Sequence, residues 1–228
     1  MIPARSYYML VSSLPQLPAR FDVGRLPISW PTLRNRLRML EQGDGRITRQ
    51  VGLYFLWDRQ PLDRTDEEVI ERYHELMRNM TNHLVRHLVR SRTEMRLIIS
   101  CIRRRATGLG PPDWIDRVAS PDSSLGHVRK HWLDPNFNLG VRYRWVEAFR
   151  NALEAGDMRE AQRAVFNERW DDWTRIAEKQ TFAFEAIIAY LVRWEIIDRW
   201  TSQNVDAGKA RFNQLIEETL GEYANPFQ

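Results

Sequence analysis

The chain has 228 residues, 43% of them hydrophobic and 28% charged, with a formal net charge of +4. Those totals suit one large or two small folded domains and exclude a collagen-like or largely disordered chain. Cys101 is the single cysteine, which excludes an intramolecular disulfide and a cysteine metal cage.

The charge is unevenly spread. Residues 1–110 carry 19 Arg against 11 acids, and residues 111–228 carry 15 Lys or Arg against 19 acids. Of the 34 basic residues 31 are arginine, with Lys130, Lys179 and Lys209 the exceptions. A guanidinium fork suits phosphate and carboxylate, but a genome-wide bias toward arginine codons explains the preference as well, and is the plainer account.

In chain order, Ser6 to Leu14 is a short apolar run for which strand and helix are both tenable, ended by Pro15. The start has no secretory-signal pattern, because Pro15 and Pro18 break the apolar run, so the cytoplasm is the expected compartment. A first clear helix is predicted from Trp30, with Ser29 as N-cap, Pro31 in the first turn and Gly43-Asp44-Gly45 as its end. A second is predicted over Thr48 to Asp58. Thr65-Asp66-Glu67-Glu68 has the capping-box pattern, and no Pro or Gly follows until Gly108. One long helix at about 65–106 is expected, or two with a break near Asn79 to Asn82. Leu84, Leu88, Met95, Ile98 and Ile102 form its expected buried seam.

Thr107 to Pro112 is the strongest breaker and coincides with the switch in charge. It predicts a boundary between a basic N-terminal helical half, 1–107, and a Trp-rich, acidic C-terminal half, 108–228, or else one continuous domain. Further helices are expected at about 112–118, 125–132, 141–155, 157–177, 181–200 and 206–220, with a turn starting at Asp134-Pro135. Gly156 is the expected C-cap between two of them. Seven of the nine tryptophans lie in this half, and Trp170 and Trp173 share a helix face with Phe166 and Ile176, which reads as packing.

The segment 181–200 is predicted to be the central apolar helix. Phe184, Ile187, Ile188, Leu191 and Trp194 recur at steps of three and four. Tyr190, Ile196, Ile197 and Trp200 widen the stripe, as expected of a helix that packs against several others. Only residues 186–192 separate Glu185 from Arg193, whereas a membrane-spanning helix needs roughly 20 apolar residues.

Few side chains suggest chemistry. His83 and His87 stand four apart, a metal-compatible spacing, but no third ligand is evident and solvent-facing or capping roles fit better. His74-Glu75-Leu76-Met77-Arg78 has arginine where a zinc-protease helix needs its second histidine. Two prolines after Gly108-Leu109-Gly110 remove the N–H groups a phosphate cradle requires. Asp171-Asp172 and Glu217-Glu218 read as solvated helix surface, and Ser123-Ser124 lies in no nucleophile elbow. No catalytic, cofactor-binding or metal residue is assigned, and a non-enzyme is expected. The basic run Arg86, Arg90, Arg92, Arg96, Arg103, Arg104 and Arg105 faces only Glu94. It is the candidate docking face for an acidic protein partner. The alternative is a basic helical adaptor for nucleic acid, disfavoured by the lack of interleaved aromatics and of a recognisable module.

The opening Tyr7-Tyr8-Met9-Leu10-Val11-Ser12-Ser13-Leu14-Pro15-Gln16-Leu17 resembles the start of a bacterial family known as domain of unknown function 2764. Gly108 to Pro111, His131-Trp132-x-Asp134-Pro135, Ala189-Tyr190-Leu191-Val192-Arg193-Trp194 and Arg199-Trp200 follow in the same order. That family is similar to the C (or d) subunit of V-type ATPases, with genes among those of the bacterial enzymes. The resemblance implies an all-α, funnel-like bundle of about eight to ten helices. It implies a non-catalytic accessory or central-stalk subunit that links the rotor stalk to the membrane ring in ATP-driven ion transport or ATP synthesis. The implied partners are other V-type ATPase subunits. The implied location is cytoplasmic, peripheral to the inner face of the cell membrane and held there through protein contacts. The usual C (or d) subunit is considerably longer and pseudo-threefold. It carries over no site residues.

Overall fold

The computed structural model describes residues 6–55, 65–118 and 123–203. Among them are ten α-helices and no strand. The all-helical expectation holds. The helices are α1 (Tyr8–Ser13), α2 (Trp30–Arg36), α3 (Gln42–Phe55), α4 (Asp66–Asn79), α5 (His83–Ala106), α6 (Ile115–Val118), α7 (Ser124–Lys130), α8 (Arg144–Glu154), α9 (Met158–Ala177) and α10 (Phe184–Ser202). The helix expected at 206–220 lies outside the described residues.

The helix ends follow local chemistry. Thr65 Oγ1 accepts from the Glu68 N–H at 3.2 Å and the Glu68 carboxylate accepts from the Thr65 N–H at 3.0 Å, a complete capping box. The stretch 65–106 is two helices rather than one continuous rod. Met80, the C-cap of α4, has extended backbone, and Asn82 caps α5 by accepting from the Val85 N–H at 3.0 Å. Gly156 takes φ +72°, the left-handed C-cap that glycine adopts without a Cβ clash. Asp157 then opens α9 by accepting from the Glu160 N–H at 3.0 Å.

Three expectations shift. Tyr8–Ser13 is helix, which resolves the ambiguity at 6–14. Gly43-Asp44-Gly45 does not end α2; a 3-10 turn at Leu37–Met39 does. The two glycines instead lie in the first turn of α3, where Asp44 complements the positive helix end. In α5 the buried seam includes Val85, Val89, Leu97 and Cys101 with Leu88, Ile98 and Ile102, while Leu84 and Met95 are only half-buried.

The chain divides into two compact units, 1–41 with 170–228 and 42–169. The breaker Gly108–Pro112 lies inside the second unit, so compact units and charge halves are cut at different places.

In the first unit α10 is the pillar. Phe184, Ile187, Ile188, Ala189, Val192, Trp194, Ile196, Ile197 and Trp200 are buried, which covers most of its circumference. The Pro-punctuated N-terminal segment is tied down by indoles. Trp194 Nε1 donates to the Ile28 carbonyl at 2.8 Å, and Trp170 Nε1 donates to the Ala19 carbonyl at 3.0 Å. Phe21 lies between Trp170 and Trp200, with ring centroids at 6.0 and 5.4 Å. Irregular backbone is thus given polar partners and an apolar seat together, which a segment without helical hydrogen bonds needs when it packs on a core.

In the second unit α4 and α5 form an antiparallel hairpin, and α7 and α8 pack against α5. One core runs through Ile70, Leu97, Ile98, Cys101, Ile102, Trp114, Leu125, Val128, Trp132, Phe137, Trp145, Val146 and Phe149. All seven tryptophans of the Trp-rich half are buried, as the packing reading expects.

Candidate docking interface

The seven arginines of α5 do not form one free face. Arg86, half-buried, reaches back across the α4–α5 break and donates to the Met77 and Met80 carbonyls at 2.6 and 2.9 Å. Arg96 approaches Asp66 at 4.0 Å, and Ser100 donates to the same carboxylate. Both contacts join the start of α4 to the middle of α5. Arg104 donates to the Gly110 carbonyl at 2.7 Å and closes the turn after α5. Arg105 is the most committed of the seven. It donates to the Trp132 carbonyl at 3.2 Å and the Asp134 carbonyl at 2.7 Å, and its guanidinium lies 4.2 Å from the Phe137 ring centroid. Arg103 is exposed, with its guanidinium 6.0 Å from the Phe149 ring centroid. Arg90 is exposed and Arg92 half-buried. Most of the run therefore braces helix ends and turns.

The braced element is unusual. Within the 3-10 turn Pro135–Asn138, residues Asn136, Phe137 and Asn138 all have φ between 51 and 57°. Asparagine tolerates that left-handed region, but phenylalanine does not, and the cost is roughly 1–2 kcal/mol at such a residue. The surroundings offset it. Phe137 is fully buried and stacks on Trp132 at 5.2 Å, and Arg150 Nε donates to Asn136 Oδ1 at 2.6 Å. Strain held this firmly is a mark of functional segments.

Two imidazoles stand beside the turn. His127 and His131, four apart on and just after α7, have ring centroids 4.3 Å apart. His131 Nδ1 pairs with Asp134 Oδ2 at 2.6 Å, and His127 Nε2 lies 3.3 Å from the Asn138 carbonyl. Ser124 and Tyr143 share a hydrogen bond of 2.9 Å across the base of the same loop. These contacts orient the loop. Among the described residues no three His, Cys, Asp or Glu side chains are grouped to hold a metal ion. His83 and His87 are both exposed on α5.

Titration follows burial. Cys101, fully buried in α5, has its thiol pushed up to about 12 by burial, with the Asp66 charge adding to the rise and Arg104 opposing it. A thiol is ordinarily near ~8.5, so the unfolded chain ionises first as pH rises. Cys101 thus contributes stability below ~8.5 that is lost as pH climbs toward the native value. At about pH 8 a maleimide should label the native protein far more slowly than the urea-unfolded chain, as read by mass spectrometry. Glu94 is likewise raised by burial, opposed by Arg90 and Arg142. Burial, with Arg150 close by, pulls the Arg105 pKa down, and Glu154 opposes them.

A family model described as protein of unknown function (DUF2764) matches residues 53–222. The chain belongs to the DUF2764 family. The match covers all of α4 to α10 and the braced turn. No curated protein and no solved structure matches the chain.

The amino-acid pattern singles out the arginines but not what they hold. The left-handed triplet has one visible signal, the Asn-Phe-Asn spelling after Asp134-Pro135. The His127–His131 pair has another, its i, i+4 spacing.

Proposed function

We propose that this DUF2764 protein is a non-catalytic scaffold subunit of a V-type ATPase, similar to the C (or d) subunit of those enzymes. In this reading it links the rotor stalk to the membrane ring in ATP-driven ion transport or ATP synthesis. It would be held at the inner face of the cell membrane by its protein partners. No described helix is long and apolar enough to cross a membrane, so attachment through other subunits suits the described chain.

One observation carries the reading. The residues on which the family resemblance rests are structural joints. The Tyr7 N–H donates to the Phe182 carbonyl at 2.5 Å, tying α1 to the start of the pillar. His131, Trp132 and Asp134 seat the braced turn on α5. Ala189, Val192 and Trp194 are buried on α10. Residues spent this way maintain the shape and stiffness of helices, which a torque-bearing part requires.

Deletion of the gene is expected to abolish most ATP-driven ion uptake in inverted membrane vesicles, with restoration by the gene in trans. Full pumping without the gene would refute the proposal.

A further inference from the structure

Of the five histidines, His74, His83 and His87 are exposed on α4 and α5, while His127 and His131 are half-buried and in ring contact. Their centroids stand 4.3 Å apart, with the ring planes 33° from parallel. Each ring is also tied to one end of the braced turn. His131 Nδ1 meets the carboxylate of Asp134, the N-cap of the turn, at 2.6 Å. His127 Nε2 meets the carbonyl of Asn138, the last residue of the turn, at 3.3 Å. The imidazole pair therefore spans the left-handed triplet Asn136, Phe137 and Asn138 and holds both of its ends.

The charges around the pair decide what a proton does there. On α7 itself, Arg129 donates to Asp116 of α6, which neutralises it, and Lys130 is exposed. From α5, Arg105 holds the Trp132 and Asp134 carbonyls. From α8, Arg150 reaches Asn136 but is paired with Glu154 at 2.8 Å. Just before α8, Arg142 lies over the Tyr143 ring, and Tyr143 is bonded to Ser124 at the base of the loop. Among these groups Asp134 is the one carboxylate not already matched by an arginine.

One imidazolium suits this site, because His131 then makes a charge-assisted contact with Asp134. Two do not. Like charges in ring contact repel, and His127 has only a neutral carbonyl to offset its share. An opened turn separates the rings and binds both protons freely, so it gains on the closed turn as pH falls. The closed turn is thus favoured at neutral pH and loses that advantage in acid, over the interval where histidine changes charge. The strained backbone at Phe137, with φ 52°, adds to the tendency to open once the ends are released.

We propose that His127 and His131 form a pH-sensitive latch on the turn Pro135–Asn138, closed when at most one ring is charged and released when both are. The latch belongs to the turn alone and stands or falls apart from the V-type ATPase reading.

Hydrogen–deuterium exchange of the full-length protein tests it, read by mass spectrometry on peptides covering residues 131–143. Protection is compared between about pH 7.5 and about pH 5, after correction for the pH dependence of intrinsic exchange. It is expected to fall about tenfold in the wild type, while peptides of the α4–α5 hairpin keep theirs. His127→Phe retains a ring against His131 that cannot be charged, and His127→Gln retains an amide donor for the Asn138 carbonyl. In each variant the same change of pH should alter protection by no more than about twofold. Equal wild-type protection at the two pH values, or a tenfold fall in either variant, would overturn the proposal. So would a parallel loss of protection in the α4–α5 hairpin, because acid would then be unfolding the chain as a whole.

Discussion

Truncating Trp194 to alanine is expected to destabilise the protein by about 3–5 kcal/mol, the range for removing a buried tryptophan. Three interactions disappear together. The indole fills the cluster with Ile28 and Leu33, packs against Trp30 at 5.7 Å, and donates its N–H to the Ile28 carbonyl. The alanine leaves both a cavity and a carbonyl without its donor. Trp194→Phe separates the two effects, since it restores much of the apolar volume but not the hydrogen bond. Its expected cost is about 1–2 kcal/mol. Urea titration followed by circular dichroism measures both. Equal midpoints for Trp194→Ala and wild type would mean that the pillar does not hold the N-terminal segment.

The second large effect is expected at Arg105, a surface-like residue by composition. Arg105→Ala should cost about 3 kcal/mol, because two charge-assisted hydrogen bonds and a cation–π contact vanish at once. The loss should be local as well as global. Without the brace, the left-handed strain at Phe137 has less to oppose it, and the Trp132–Phe137 stack should loosen. The near-ultraviolet circular dichroism of the tryptophans should change while the far-ultraviolet helix signal stays near wild type. Arg105→Lys keeps the charge and can donate to both carbonyls, which meet the one nitrogen Nη1, but it loses the planar guanidinium over the Phe137 ring, so it should recover only part of the loss. Arg90 and Arg103, exposed on the same helix, should each cost well under 1 kcal/mol when replaced by alanine.

The helical framework was legible because its signals are local. Thr65 and Glu68 spell their cap, Gly156 its C-cap, and Phe184 to Trp200 its pattern of apolar steps, and each forms within a few residues. The compact units were not legible, because they depend on distant segments meeting. Nothing in Ala19 or Ile28 announces that an indole some 150 residues later will bind its carbonyl. The Gly43–Gly45 stop failed for a related reason. Two glycines lower helix propensity by roughly 1 kcal/mol each, but tertiary packing of α3 can override that preference. At the docking candidate, charge was visible and commitment was not. A run of seven arginines looks alike in sequence whether each guanidinium faces water or a carbonyl.

The fold and the proposed role make different demands on the protein. Stability rests on buried indoles, the α5 seam and internal arginine braces. The proposed scaffold role rests on what remains exposed, above all Arg90 and Arg103. The most direct test is affinity purification of the tagged full-length protein from detergent-solubilised native membranes, with the co-purifying proteins identified by mass spectrometry. V-type ATPase head, stalk and ring subunits are expected to be recovered together, and reversing the charge of Arg90 and Arg103 is expected to reduce their yield without changing the helical signal. A protein recovered alone, or bound to nucleic acid, with no ATPase subunit present, would contradict it.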